Sequence, residues 1–197
     1  MFSPFGVLLI GLSLLVGLWV VLTYNAFIRG RNTVRGSWAQ VDVELKRRHD
    51  LIPNLVSTVQ GYTDHERQTL TSVTAARAAA VSASASGDVS KVGPAENALT
   101  QSLRSLFAVS ENYPDLKASA NYLDLQTQLG QTENRIANAR TSYNQTVQGY
   151  NTAVQSLPAS LIAAPLGFTV SPFFEADPAD REPVHVRFTQ NPPAAAA

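Results

Sequence analysis

From Phe5 to Ile28 the chain reads FGVLLIGLSLLVGLWVVLTYNAFI, with no charged side chain. As a helix this run is about 36 Å long, against a bilayer hydrocarbon core of about 30 Å, so residues 1–28 are expected to form a transmembrane anchor with some tilt. After it, apolar residues recur at heptad-like spacing, in steps built from three and four, at Val34, Trp38, Val41, Leu45, Ile52, Leu55, Val59, Tyr62 and Val73. Such steps predict a long helix buried along one stripe. Pro53 falls inside the run, where it removes a backbone hydrogen bond and crowds the preceding turn. The stripe nevertheless keeps its phase across it, because Leu45, Ile52 and Val59 are evenly spaced. A kink is therefore expected at Pro53, with Asp50 placed to cap a restarted helix.

The stretch SASASGDVSKVG, residues 82–93, is small, polar and glycine-bearing, and reads as a linker. Pro94 then suits the first turn of a helix with its stripe at Leu99, Leu103, Leu106 and Val109. Tyr113, Pro114 and Asp115 break that helix. A last long one follows, with Tyr122, Leu125, Leu129, Ile136, Tyr143, Val147, Tyr150, Val154 and Leu157 on its buried face, closed by Pro158. Long segments with short connectors must run antiparallel to their neighbours. The fold class expected is all-α: an antiparallel bundle of three to four long helices over residues 29–158, following the anchor. The sequence leaves open whether the first bundle helix is continuous with the anchor; Gly30 and Gly36 weaken such continuity.

From Ala159 the prolines at 165, 172, 178 and 183 forbid regular helix, while Phe168, Phe173, Phe174, Val184, Val186 and Phe188 stay apolar. An extended arm over residues 159–190 is expected, with its aromatics docked on the bundle, and a disordered tail over 191–197.

The residues flanking the anchor set its orientation. Arg29, Arg31 and Arg35 follow it directly and no charged side chain precedes it, which places the N-terminus outside and the bundle in the cytoplasm. Trp19 and Tyr24 suit an aromatic belt at the interface. A cleaved signal peptide would show a basic start, a shorter apolar run and a small-x-small cleavage site, none of which fits this segment.

Composition narrows the chemistry. Lys and Arg number 15 against 15 Asp and Glu, so no basic field points to nucleic acid. Cysteine is absent, which removes disulfides, thiolate nucleophiles and thiolate zinc sites. His49, His65 and His185 form no i, i+4 pair, and the first two lie more than about 20 Å apart along a straight helix. No phosphate-cradling glycine loop or nucleophile elbow occurs. No catalytic, cofactor-binding or metal-binding residue is expected.

What remains is a set of polar residues on the buried stripes. Arg48 lies between Leu45 and Ile52, Glu66 between Val59 and Val73, and Glu133 and Arg140 among Leu129, Ile136 and Tyr143. An unpaired buried charge costs about 3–5 kcal/mol, so Arg48 is expected to pair with Glu66 or Glu133 inside the bundle. Asn134 is expected to bond in the same core, whereas Asn54, Asn144 and Asn151 read as surface residues.

Tyr24 to Glu66, YNAFIRGRNTVRGSWAQVDVELKRRHDLIPNLVSTVQGYTDHE, resembles the signature region of the bacterial LemA family. The likeness continues through ENYPDLKASANYLDLQ (111–126), TENRIANARTSYNQTVQGYN (132–151) and GFTVSPFFE (167–175). It implies a bundle anchored in the inner membrane and facing the cytoplasm, without an assigned enzymatic activity. Relatives in magnetosome membranes, and family members found beside membrane metalloproteases, imply an accessory or scaffolding role.

Three functions compete. The first is a scaffold that binds other proteins or copies of itself. The second is an accessory subunit of a membrane metalloprotease. The third, membrane remodelling, needs a basic amphipathic helix on the lipid surface, and the apolar residues near Arg29, Arg31 and Arg35 look bundle-facing. Beyond the lipid bilayer itself, the expected partners are therefore proteins.

Overall fold

The computed structural model describes residues 4–62 and 66–175. Within them the chain is helical, with no strand: a helical bundle joined to one long apolar N-terminal helix. Helix α1 spans Pro4–Gln60, 57 residues and about 85 Å, without interruption. Its apolar first part is long enough to cross a membrane and none of that segment is buried against the rest of the molecule. The anchor and the first bundle helix are thus one element.

Gly30, expected to weaken that continuity, has a packing reason to be there. A Cβ at this position would lie 3.0 Å from Cδ2 of Tyr150, so the missing side chain admits the tyrosine ring. Nor does Pro53 restart the helix. Hydrogen-bonded helix continues to Gln60, and Asp50 pairs with Lys46 at 2.9 Å instead of capping a new N-terminus.

Helix α2 (Arg67–Ala85) and helix α3 (Val89–Ser110) pack on each other as a hairpin. Their turn is only Ser86 to Asp88, much shorter than a linker over 82–93. Gly87 takes φ +68°, where glycine is free of strain, and the Asp88 carboxylate caps α3 by accepting from Ser90 N at 3.1 Å. Pro94 consequently sits in the second turn of α3. Pro114 opens the short α4 (Pro114–Ala118), and α5 (Ala120–Gln155) runs back along α1. Three pairs fix their antiparallel register: Gly30 with Tyr150, Trp38 with Tyr143, and Arg48 with Glu133. Helix α6 (Ser160–Ala163) turns the corner at the end of α5.

Buried positions on α1 fall in two rows seven residues apart, Phe27, Val34, Val41, Arg48, Leu55 and Leu45, Ile52, Val59. That is coiled-coil patterning, met by Tyr122, Leu129, Ile136, Tyr143 and Tyr150 on α5. The apolar contacts divide into two clusters. One, nearer the anchor, contains Phe27, Leu45, Val92, Ile136 and Phe168. The other, distal, contains Ile52, Leu99, Leu106, Leu116 and Leu129. They meet at the level of Arg48.

After α6 the chain is extended and lies on the bundle. Phe168 is buried with its ring centroid 5.0 Å from Phe27 and 5.6 Å from Tyr24, and Phe174 packs 5.7 Å from Trp38. The remainder of the expected arm, residues 176–190, and the expected tail, 191–197, lie outside the described residues.

Candidate functional site

Between the two apolar clusters lies a polar layer built from residues of α1, α3 and α5. Arg48 of α1 is 1% exposed. Its Nη1 donates to Glu133 Oε1 of α5 at 2.5 Å and to Thr100 Oγ1 of α3 at 3.1 Å. Its Nη2 donates to the Glu96 carboxylate of α3. The neighbouring His49 is also buried, with Nε2 2.7 Å from the other Glu96 oxygen. Burial, then the charges of Arg48 and Arg77, push the His49 imidazole down to about 4. At neutral pH the ring is therefore uncharged and Nε2 donates to Glu96.

The sequence left Arg48 two expected carboxylates. Glu133 meets it, but Glu66 does not: Glu66 Oε1 accepts from Tyr113 OH at 3.4 Å, at the distal end of the bundle. Glu96, which reasoning from sequence missed, lies deepest. Asn134, expected in the core, is exposed, because it sits one residue past Glu133 and is turned off the buried stripe; Arg140 is half-buried.

Asn144 and Asn151, read as plain surface residues, form two matched clamps on the arm. Asn151 donates to Ser171 O at 2.9 Å and accepts from Ser171 N at 2.8 Å. Asn144 does the same with Phe174, at 3.0 and 2.9 Å. One side-chain amide thus satisfies both backbone groups of an extended residue, as a neighbouring strand would. Tyr143 OH adds a bond to Pro172 O at 2.9 Å, and burial pushes its phenol pKa up.

Helices α3 and α5 approach each other only sparsely, and a groove opens between them above the polar layer. Its polar half, about 250 Å³, is lined by Asn97, Thr100, Arg104, Glu133, Asn134 and Arg140. Its more apolar half, about 390 Å³, adds Leu103, Phe107, Leu129 and Gly130. Arg104 and Arg140 have no ion-pair partner among the described residues, whereas Glu133 is half-occupied by Arg48. The groove therefore presents net positive charge beside an apolar floor. Among the described residues no three His, Asp or Glu side chains gather in a metal-binding group.

At the anchor, Trp19 is half-buried, and Tyr24, Arg29 and Arg35 are exposed. Arg31 is drawn inward, with its guanidinium 5.1 Å from the Phe168 ring centroid.

The chain is similar in sequence to known proteins over most of its length. The LemA family profile matches residues 37–188. Protein LemA of Metamycoplasma hominis is 27% identical over 169 residues, covering 85% of this chain and 75% of that protein. Magnetosome protein MamQ of Magnetospirillum gryphiswaldense is 24% identical over 188 residues, covering 84% of this chain and 69% of that protein. Magnetosome protein MamQ 2 of Paramagnetospirillum magneticum is 23% identical over the same coverage. These names state no catalysed reaction.

Proposed function

The chain belongs to the LemA family, and from that premise we propose that it is a non-enzymatic, single-pass membrane scaffold whose bundle binds another protein in the α3–α5 groove. The observation that supports this best is the pairing, in that one groove, of an apolar floor with two arginines that have no carboxylate partner among the described residues. The polar layer beneath is consumed by its own ion pairs, while Arg104 and Arg140 stand at the rim uncommitted to any carboxylate. Aromatic and apolar surface flanked by arginine is the composition that favours protein contacts, and an acidic helix or strand is the segment whose charge suits it.

The location proposed is the bacterial inner membrane, with the bundle in the cytoplasm. Support comes from the uncharged span followed at once by Arg29, Arg31 and Arg35. Because α1 is continuous, the bundle would be held on a stiff rod and not a flexible leash.

A photo-crosslinking amino acid at Gly130 tests the groove. No neighbouring atom lies within 4 Å of a Cβ there, so a bulky side chain fits. In native membranes the expected result is a discrete adduct with one protein, identified by mass spectrometry. An adduct with a second copy would make the scaffold homo-oligomeric, and an adduct with a membrane protease would make it an accessory subunit. No protein adduct from this position would overturn the proposal.

A further inference from the structure

The corner formed by the end of α5 and by α6 exposes large apolar side chains: Leu157, expected on the buried face but lying past the end of α5 at Gln155, is 76% exposed, Leu161 69% and Leu166 41%. Clusters of exposed leucine on a small domain mark a surface that meets something apolar. The register of α5 on α1 says where this surface stands. Tyr150 lies on Gly30, and α5 continues five residues to Gln155, a further rise of about 7.5 Å towards the N-terminus of α1. Its end is therefore level with Asn25. Ile162, Ala163 and Phe168 pack in one cluster with Phe27 and Ile28, and Phe168 meets Tyr24. The corner thus abuts the last turn of the uncharged run, at the depth where about 30 Å of hydrocarbon would be used up and the headgroup region begins.

Charge points the same way. Residues 141–174 contain no Asp, Glu, Lys or Arg, so among the described residues this stretch offers Arg29, Arg31 and Arg35 no carboxylate. Arg31 is turned onto the Phe168 ring, while Arg29 and Arg35 remain exposed. A protein surface of this composition, continuous with the anchor, matches a phospholipid bilayer: apolar side chains below, guanidiniums at the level of phosphate.

We propose that the α5–α6 corner is a second membrane contact, in which Leu157, Leu161 and Leu166 embed in the bilayer interface beside the anchor while Arg29, about 6 Å beyond Asn25 along α1, binds lipid phosphate. The inference rests on the anchored reading given above. Two contacts, unlike one, prevent the bundle from pivoting about the anchor. They would fix the α3–α5 groove, centred at Glu133, about 33 Å from the corner along α5.

Because the chain has no cysteine, single-cysteine variants of the full chain can be labelled with an environment-sensitive fluorophore. The variants are Leu161→Cys at the corner, Leu14→Cys within the span, and Lys117→Cys on α4, about 54 Å away at the opposite end of α5. They are placed in phosphatidylcholine vesicles containing one quarter phosphatidylglycerol, at high lipid-to-protein ratio. Nitroxide-bearing lipids are expected to quench the labels at 161 and 14 at least about twofold more than the label at 117. Quenching at 14 with none at 161 would overturn the second contact and leave the anchor standing. Absence of quenching at both would overturn the anchored reading as well. Shielding of 161 from aqueous iodide without quenching by lipid would mean that protein covers the corner, and would also overturn the proposal.

Discussion

The carbonyl of His49, deprived of its helical donor by Pro53 four residues on, accepts a hydrogen bond from Arg77 Nε of α2 at 2.6 Å. Proline lacks the N–H that would have closed this turn, so the gap in α1 becomes an attachment point for its neighbour. Removing Arg77 leaves a carbonyl without its donor, which costs about 1–3 kcal/mol. Arg77→Ala is therefore expected to lower the melting temperature, and adding Pro53→Ala should restore most of the loss by returning a backbone donor. Circular dichroism melting of the two single variants and the double variant in detergent checks this; simple additivity would refute the coupling.

The polar layer makes a sharper contrast between adjacent residues. Arg48→Ala strands Glu96 among apolar clusters and is expected to destabilise by about 3–5 kcal/mol. Arg47→Ala, on the exposed face one residue earlier, should change stability by less than about 0.5 kcal/mol. Chemical denaturation of both variants decides it, with equal midpoints counting against a buried pair.

His49 gives the bundle a pH dependence of definite sign. Its folded value of about 4 lies below the ordinary 6.5, so between these values the unfolded chain binds a proton that the folded chain does not. Stability therefore rises with pH across this window and is lost as pH falls through it, at up to about 1.4 kcal/mol per pH unit. His49→Gln keeps a donor for Glu96 and removes the titration. Its denaturation midpoint should vary less between pH 4.5 and 6.5 than that of the parent chain, and equal slopes would contradict the assignment.

The asparagine clamps predict a local effect. Asn151→Ala removes both side-chain bonds to Ser171, each worth about 1 kcal/mol, from a segment also held by Phe168, Tyr143 and Asn144. Hydrogen exchange at residues 168–175 should accelerate several-fold while the helices α1 and α5 exchange as before. Unchanged exchange in this segment would show that the clamps do not hold it.

Much of the fold follows from spacing alone. Heptad rows on α1 and α5 predict two long buried stripes, and they place Arg48 inside and Glu133 within its reach before any contact is known, although Glu133 stands at the edge of the groove with its side chain 41% exposed. Glu96 had the same signal, since Val92, Glu96, Leu99, Leu103 and Leu106 step by four and three along α3. Reading residues 82–93 as linker started that stripe at Leu99 and hid the glutamate. The small, polar composition was real, but Asp88 capping and the glycine turn need only three residues. Continuity through Gly30 was unreadable for a different reason: the ring that fills the space comes from Tyr150, a hundred and twenty residues away. Asn144 and Asn151 each follow a stripe tyrosine, and their partners are backbone groups of an arm whose path has no periodicity to reveal it.

The account depends above all on a bundle borne by its own bilayer-spanning helix. Alkaline carbonate extraction of membranes from cells producing the chain, with mass analysis of the retained protein, tests this most directly. The expected result is that the protein stays in the membrane pellet with residues 4–28 intact. Recovery in the supernatant, or a mature chain beginning after Ile28, would contradict it.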